Sequence, residues 1–146
     1  MKQFVLLTAL IFSITFCEAQ IRKVPATVTE AFKEHFPGAS NVSWKDKITG
    51  FEASFNLEGS RMYAKFNNDA EWEKTETVFK YEELNDDVKN GFRKSKYNDW
   101  EIKDVRKVES KEHGILYKIE VKKNAVQKKN LLFNETGVMQ KDNITI

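Results

Sequence analysis

The feature that most constrains this chain is a hydrophobic period that changes from about 3.6 residues to 2, and then does so a second time in the same order. In the first copy Val24, Val28, Ala31, Phe32 and Phe36 fall on one face of an amphipathic helix. Pro25 suits its first turn, and Thr27 with Glu30 has the spacing of a capping box. Pro37-Gly38 stops it, because proline lacks an N–H and glycine accepts positive φ. The second copy places Leu84, Val88, Gly91, Phe92 and Tyr97 in the same stripe, with Asn85, Asp86 and Asp87 as candidate caps. Gly91 takes the place of Ala31, where a small residue would let the helix approach the sheet.

After each helix the pattern alternates, as half-buried strands do. Phe51, Ala53, Phe55 and Leu57 alternate with Glu52, Ser54 and Asn56. Glu58-Gly59-Ser60 turns the chain into Met62, Ala64 and Phe66; Asn67-Asn68-Asp69-Ala70 turns it again into Glu71–Phe79. In the second copy Tyr117, Ile119 and Val121 answer Phe51, Ala53 and Phe55, while Leu131 and Phe133 answer Ala64 and Phe66. Asn134-Glu135-Thr136-Gly137 answers the Asn67 turn, and Met139 answers Trp72. Val42 with Trp44, and Ile102 with Val105, mark one further strand per copy. The expected class is therefore α+β: two tandem αββββ repeats, about residues 24–80 and 84–144, forming an antiparallel sheet with both helices on one face and the other face open.

The first residues read as an export signal. Lys2 precedes an apolar run from Phe4 to Phe16, too short for a permanent span, and Cys17-Glu18-Ala19 offers the small side chains that cleavage needs. The expected signal peptide is residues 1–19, leaving residues 20–146 as one domain, periplasmic or secreted. Retention of Cys17 as a lipidated first residue is the alternative; the bulky Phe16 before it speaks against that processing. Cys17 is the only cysteine, so cleavage after Ala19 removes disulfides, thiol nucleophiles and Cys-based metal sites together.

The formal net charge is +2, with charges interspersed and only short basic clusters at Lys122-Lys123 and Lys128-Lys129, which argues against nucleic acid as the main partner. No membrane-binding stretch follows the signal. His35 and His113 are isolated, and a catalytic zinc shell usually needs three protein ligands. None of the phosphate-cradling, dinucleotide-binding or nucleophile-elbow glycine patterns occurs. Asn67-Asn68-Asp69 offers oxygens in a turn, but the calcium loop with its central glycine and terminal glutamate is missing. No cofactor is expected, and carboxylates such as Glu71, Glu73, Asp86 and Asp87 read as solvated strand and cap residues.

Taken together, Val24-Pro25, Phe32–Phe36 followed by Pro37-Gly38-Ala39, Asn41-Val42-Ser43-Trp44, Gly50-Phe51-Glu52-Ala53-Ser54-Phe55 and Asn68-Asp69-Ala70-Glu71-Trp72 resemble the PepSY-like family of exported bacterial proteins, itself described as similar to β-lactamase inhibitory proteins. The likeness runs over nearly all of residues 20–146, although Asn98-Asp99 stands where the first copy has Pro37-Gly38. The resemblance implies an exported α+β protein with inhibition of an enzyme by analogy, and it supplies no catalytic residues to carry over.

Alternation singles out Glu52, Tyr63, Lys65, Lys118, Glu120 and Leu132 as residues turned away from the core stripe. A tyrosine on an otherwise charged sheet face has the chemistry of a partner-binding anchor. The expected function is thus non-enzymatic binding of another protein through that face, inhibition included. A small-molecule or ion-binding module, with its pocket between helix and sheet or at the repeat junction, is the alternative.

Overall fold

A computed structural model describes residues 22–144 of the chain. The expected signal segment 1–19, the cleavage point at Ala19 and the Cys17 alternative lie outside the described residues. Helix α1 (Ala26–His35) is followed by strands β1 (Ser40–Lys47), β2 (Gly50–Leu57), β3 (Ser60–Asn67) and β4 (Trp72–Phe79). A 3-10 turn (Tyr81–Glu83) then leads into helix α2 (Asp86–Arg93) and strands β5 (Glu101–Ser110), β6 (Gly114–Lys122), β7 (Lys128–Phe133) and β8 (Met139–Ile144). The eight strands form one sheet in chain order, every neighbouring pair antiparallel.

The helices begin for different local reasons. Pro25 itself is the N-cap of α1 and no side chain caps it. Thr27 therefore already lies inside the helix, and the capping box expected of Thr27 and Glu30 is not the start: the extended Pro25 already accepts the first helical bond, from the Thr29 N–H at 3.2 Å, before that pair is reached. At α2 the expectation holds, with Asn85 Oδ1 accepting the Val88 N–H at 2.8 Å and Asp86 and Asp87 in the positive first turn.

Gly91 does admit a close approach of α2, but its neighbour is the turn of the last hairpin and not a strand. A Cβ there would lie 2.0 Å from the carbonyl oxygen of Gly137, in the β7–β8 turn. A Cβ on Gly137, whose φ is +74°, would in turn lie 2.0 Å from the Asp87 carbonyl oxygen. The Asn85 side-chain amide donates to the Glu135 carbonyl at 3.2 Å, so helix and turn are joined backbone to backbone with a capping residue as the clasp.

Side chains collect in two clusters. Val28, Phe32 and Phe36 of the α1 region pack with Phe51, Ala53, Phe55, Ala64 and Phe66, flanked by Trp44 and Trp72. Leu84, Val88, Phe92 and Tyr97 pack with Val105, Ile119, Val121, Leu131 and Phe133. Phe32 is the hub of the first, with ring centroids 4.9 Å from Phe55, 5.3 Å from Trp44 and 5.4 Å from Phe36. Phe51 pairs with Phe66 and Tyr117 with Phe133, while Ala53 pairs with Ala64 and Ile119 with Leu131. The turn chemistry agrees too: Asn67 Oδ1 accepts the N–H groups of Asp69 and Glu71, and Asn134 Oδ1 those of Thr136 and Val138.

Candidate functional site: a charged cluster on the sheet

Because side chains alternate along a strand, the residues between core positions on β2, β3, β6 and β7 emerge on the far side from the clusters. All six residues singled out above are half-buried there. Glu52 stands opposite Lys65 across β2–β3, and its carboxylate lies 3.6 Å from Lys47 Nζ. Lys65 reaches the bulged residue Glu73 at 2.8 Å. Lys118 stands opposite Leu132 on β7 and Arg106 on β5, while Glu120 stands opposite Asn130 and Asp104. Tyr63 and Lys118 are drawn to one centre; Glu52 and Glu120 take other cross-strand partners.

That centre is Glu76, opposite Tyr63 on β3 and Val108 on β5. Its carboxylate accepts from Lys74 Nζ at 2.6 Å, from Lys118 Nζ at 2.7 Å and from Arg106 Nη1 at 3.0 Å. Only 9% of the residue is exposed. Burial alone would push this carboxyl up, but the hydrogen bonds and charges of Lys118 and Lys74 outweigh it and hold the pKa at about 2. A buried carboxylate is tolerable here because both oxygens receive charged donors. Arg106 divides itself between Glu76 and Asp104.

The same guanidinium lies 4.7 Å from the centroid of the Tyr63 ring, and that of Arg61 lies 5.7 Å from it. Tyr63 is thus an aromatic ring flanked by two arginines. Arg61 also donates to Ser54 Oγ at 3.2 Å, which tethers it over β2. Beside the cluster runs an open groove of about 750 Å³, lined among others by Lys65, Lys74, Glu76, Leu116, Lys118 and Leu132 and bordered by the β5–β6 turn at Lys111–His113. In that lining the Asn130 Oδ1 atom is buried without a hydrogen-bond partner among the described residues. A smaller groove of about 450 Å³ lies between α1 and edge strand β1, beside Phe36, Val42 and Trp44.

The family described as "Putative beta-lactamase-inhibitor-like, PepSY-like" matches residues 49–141, from the β1–β2 turn into β8. The chain belongs to this family. Solved structures agree with the assignment. A Bacteroides eggerthii protein described as one of the "putative periplasmic proteins" superposes with a TM-score of 0.77 at 26% identity, covering 84% of this chain and 90% of that one. A DUF2874 family protein from Bacteroides uniformis gives 0.78 at 26% identity, with 84% and 90% covered. A "BLIP-like protein" from Bacteroides fragilis gives 0.79 at 24% identity, with 86% and 89% covered, a likeness of fold. Among curated proteins none matches the sequence.

The centre of this PepSY-like sheet is built from residues that sequence reading passes over: Arg61, Lys74, Glu76 and Arg106. One signal does exist for Glu76, since it falls on the same parity as Lys74 in a strand whose inward positions are Thr75 and Thr77. Nothing in the sequence says that Lys118 will face it, because the pairing crosses β5. His35 stacks on Trp72 at 5.0 Å and His113 lies in the exposed β5–β6 turn, so the two imidazoles serve separate places. Among the described residues no three His, Cys, Asp or Glu side chains converge as a metal site would need, and no helix is long and apolar enough to cross a membrane.

Proposed function

We propose that this PepSY-like protein is an exported, non-enzymatic binding module that engages another protein through the uncovered face of its sheet, as an inhibitor or modulator of an envelope or secreted enzyme. The observation that carries the reading is the Tyr63 ring, half-buried between Arg61 and Arg106 and set beside a carboxylate whose cations are partly exposed. Interfaces favour such anchors: aromatic and arginine side chains that are already held in place lose little freedom on binding. Glu52, Lys65, Lys118, Glu120 and Leu132 form the surround of this anchor in the proposal.

The proposal includes an architecture. Residues 24–80 and 84–144 are two copies of one αββββ unit, with both helices on the same side of the sheet. The matched pairs Phe51–Phe66 and Tyr117–Phe133, and the matched asparagine turns at Asn67 and Asn134, support it. So does the Lys118–Glu76 bond, because it joins the far faces of the two halves. Export through removal of residues 1–19 near Ala19, and residence in the periplasm, fit the description of the Bacteroides eggerthii relative as periplasmic.

Site-specific photocrosslinking in the native envelope tests the binding face. A crosslinking side chain at position 63 should yield a discrete protein adduct, and one at Lys33, on exposed α1, should not. Equal adducts from both positions, or adducts from position 33 alone, would reject the sheet face.

A further inference from the structure

We propose that the surface around Tyr63 receives an acidic loop of a partner protein, one whose carboxylates flank an apolar side chain. The inference rests on the sheet-face reading above and adds to it the chemistry of the occupant. Two arginines, Arg61 and Arg106, flank the ring, and Lys74 and Lys118 join Arg106 around Glu76; with Asp104 and the Glu120 opposite it, the cluster holds four cations to three carboxylates, an excess of one positive charge.

Exposure sharpens the imbalance. The Glu76 side chain is 11% exposed, while those of Lys74, Arg106 and Lys118 are 40%, 25% and 20% exposed. An approaching group therefore meets the cations and not the anion they share. Each lysine ammonium carries three N–H donors, and its bond to Glu76 uses one, so donors remain for incoming carboxylates. Leu116 and Leu132 lie half-buried in the groove beside the cluster, which Lys74 and Lys118 also line, and offer an apolar side chain a place next to those ammonium groups. A nucleic acid strand fits less well, because a continuous polyanion wants an unbroken basic stripe, whereas Glu71, Glu73 and Glu112 interrupt this groove.

Selection of a random peptide library on the purified protein, followed by anisotropy with labelled winners, tests this. Enriched peptides should carry acidic residues around an apolar one and weaken steeply as salt is raised. Arg61→Gln, which spares every bond to Glu76, should weaken them about three- to tenfold with an unchanged thermal midpoint. Enrichment of neutral or basic peptides that Tyr63→Ala still abolishes overturns the acidic occupant while leaving the sheet face in place. Acidic winners indifferent to both substitutions overturn the sheet face as well. No enrichment, or tighter binding of a single-stranded DNA oligomer than of the acidic peptides, overturns the proposal.

Discussion

Lys118 and Glu76, 42 residues apart in the chain, meet at 2.7 Å across the intervening strand β5. Arg106 on that strand bonds the same carboxylate oxygen, so a single anion ties β4, β5 and β6 together. Removing water from Glu76 is costly, and three charged donors offset that cost only while the carboxyl is ionised.

That condition fixes a pH dependence. The Glu76 pKa falls from an ordinary 4.5 to about 2 in the folded chain. The unfolded chain thus takes up the proton first as pH drops, and the contribution is complete above about pH 4.5 and lost progressively towards pH 2. Unfolding free energy measured in urea should fall over that window, with Glu76 supplying on the order of 2 kcal/mol after allowance for solvent screening.

Glu76→Gln is the matching substitution. It keeps the shape, removes the charge and leaves Lys74, Arg106 and Lys118 facing one another, so a loss of roughly 1–3 kcal/mol at neutral pH is expected. The acid limb attributed to Glu76 should flatten in the variant. An unchanged slope in urea titrations between pH 4.5 and 2 would assign that limb to other carboxyls.

Helix propensity and packing make opposite predictions at Gly91. Alanine should favour the helix by about 1 kcal/mol. Its Cβ, however, would lie 2.0 Å from the Gly137 carbonyl oxygen, a backbone atom that cannot swing aside. We expect packing to win, with Gly91→Ala losing roughly 1–3 kcal/mol, and Gly137→Ala losing at least as much because φ there is +74°. Denaturant midpoints decide, and a rise for Gly91→Ala would show that the turn can move away.

Phe32→Ala removes the ring that touches Phe36, Trp44 and Phe55, and should cost about 3–5 kcal/mol by equilibrium unfolding. Val42→Ala, at a position 40% exposed on the edge strand, should change stability by less than about 1 kcal/mol.

The parts legible in the sequence are those carried by neighbours along the chain. Phe51, Ala53 and Phe55 announce a strand and its inner face because alternation is local, and Pro37-Gly38 announces a helix end for the same reason. Parity relative to Ala64 and Phe66 alone turns Tyr63 away from the core positions. Glu76 escapes sequence reading because its partners Arg106 and Lys118 lie 30 and 42 residues away and are brought to it only by the β4–β5 and β5–β6 registers, which no local pattern fixes. Gly91 reads in the sequence as a small residue in a helix, but its neighbour Gly137 belongs to the last hairpin, and only tertiary structure joins them.

Since each strand pairs only with the strands before and after it in the chain, assembly never has to wait for a distant terminus to thread home. The three hairpin closures between β1 and β4, and the three between β5 and β8, are short-range searches, and only the β4–β5 seam must be closed across the longer passage through α2. Refolding should therefore be limited by the meeting of β4 with β5, and substitutions along that seam should slow the forward rate more than equal losses placed in the outer hairpins.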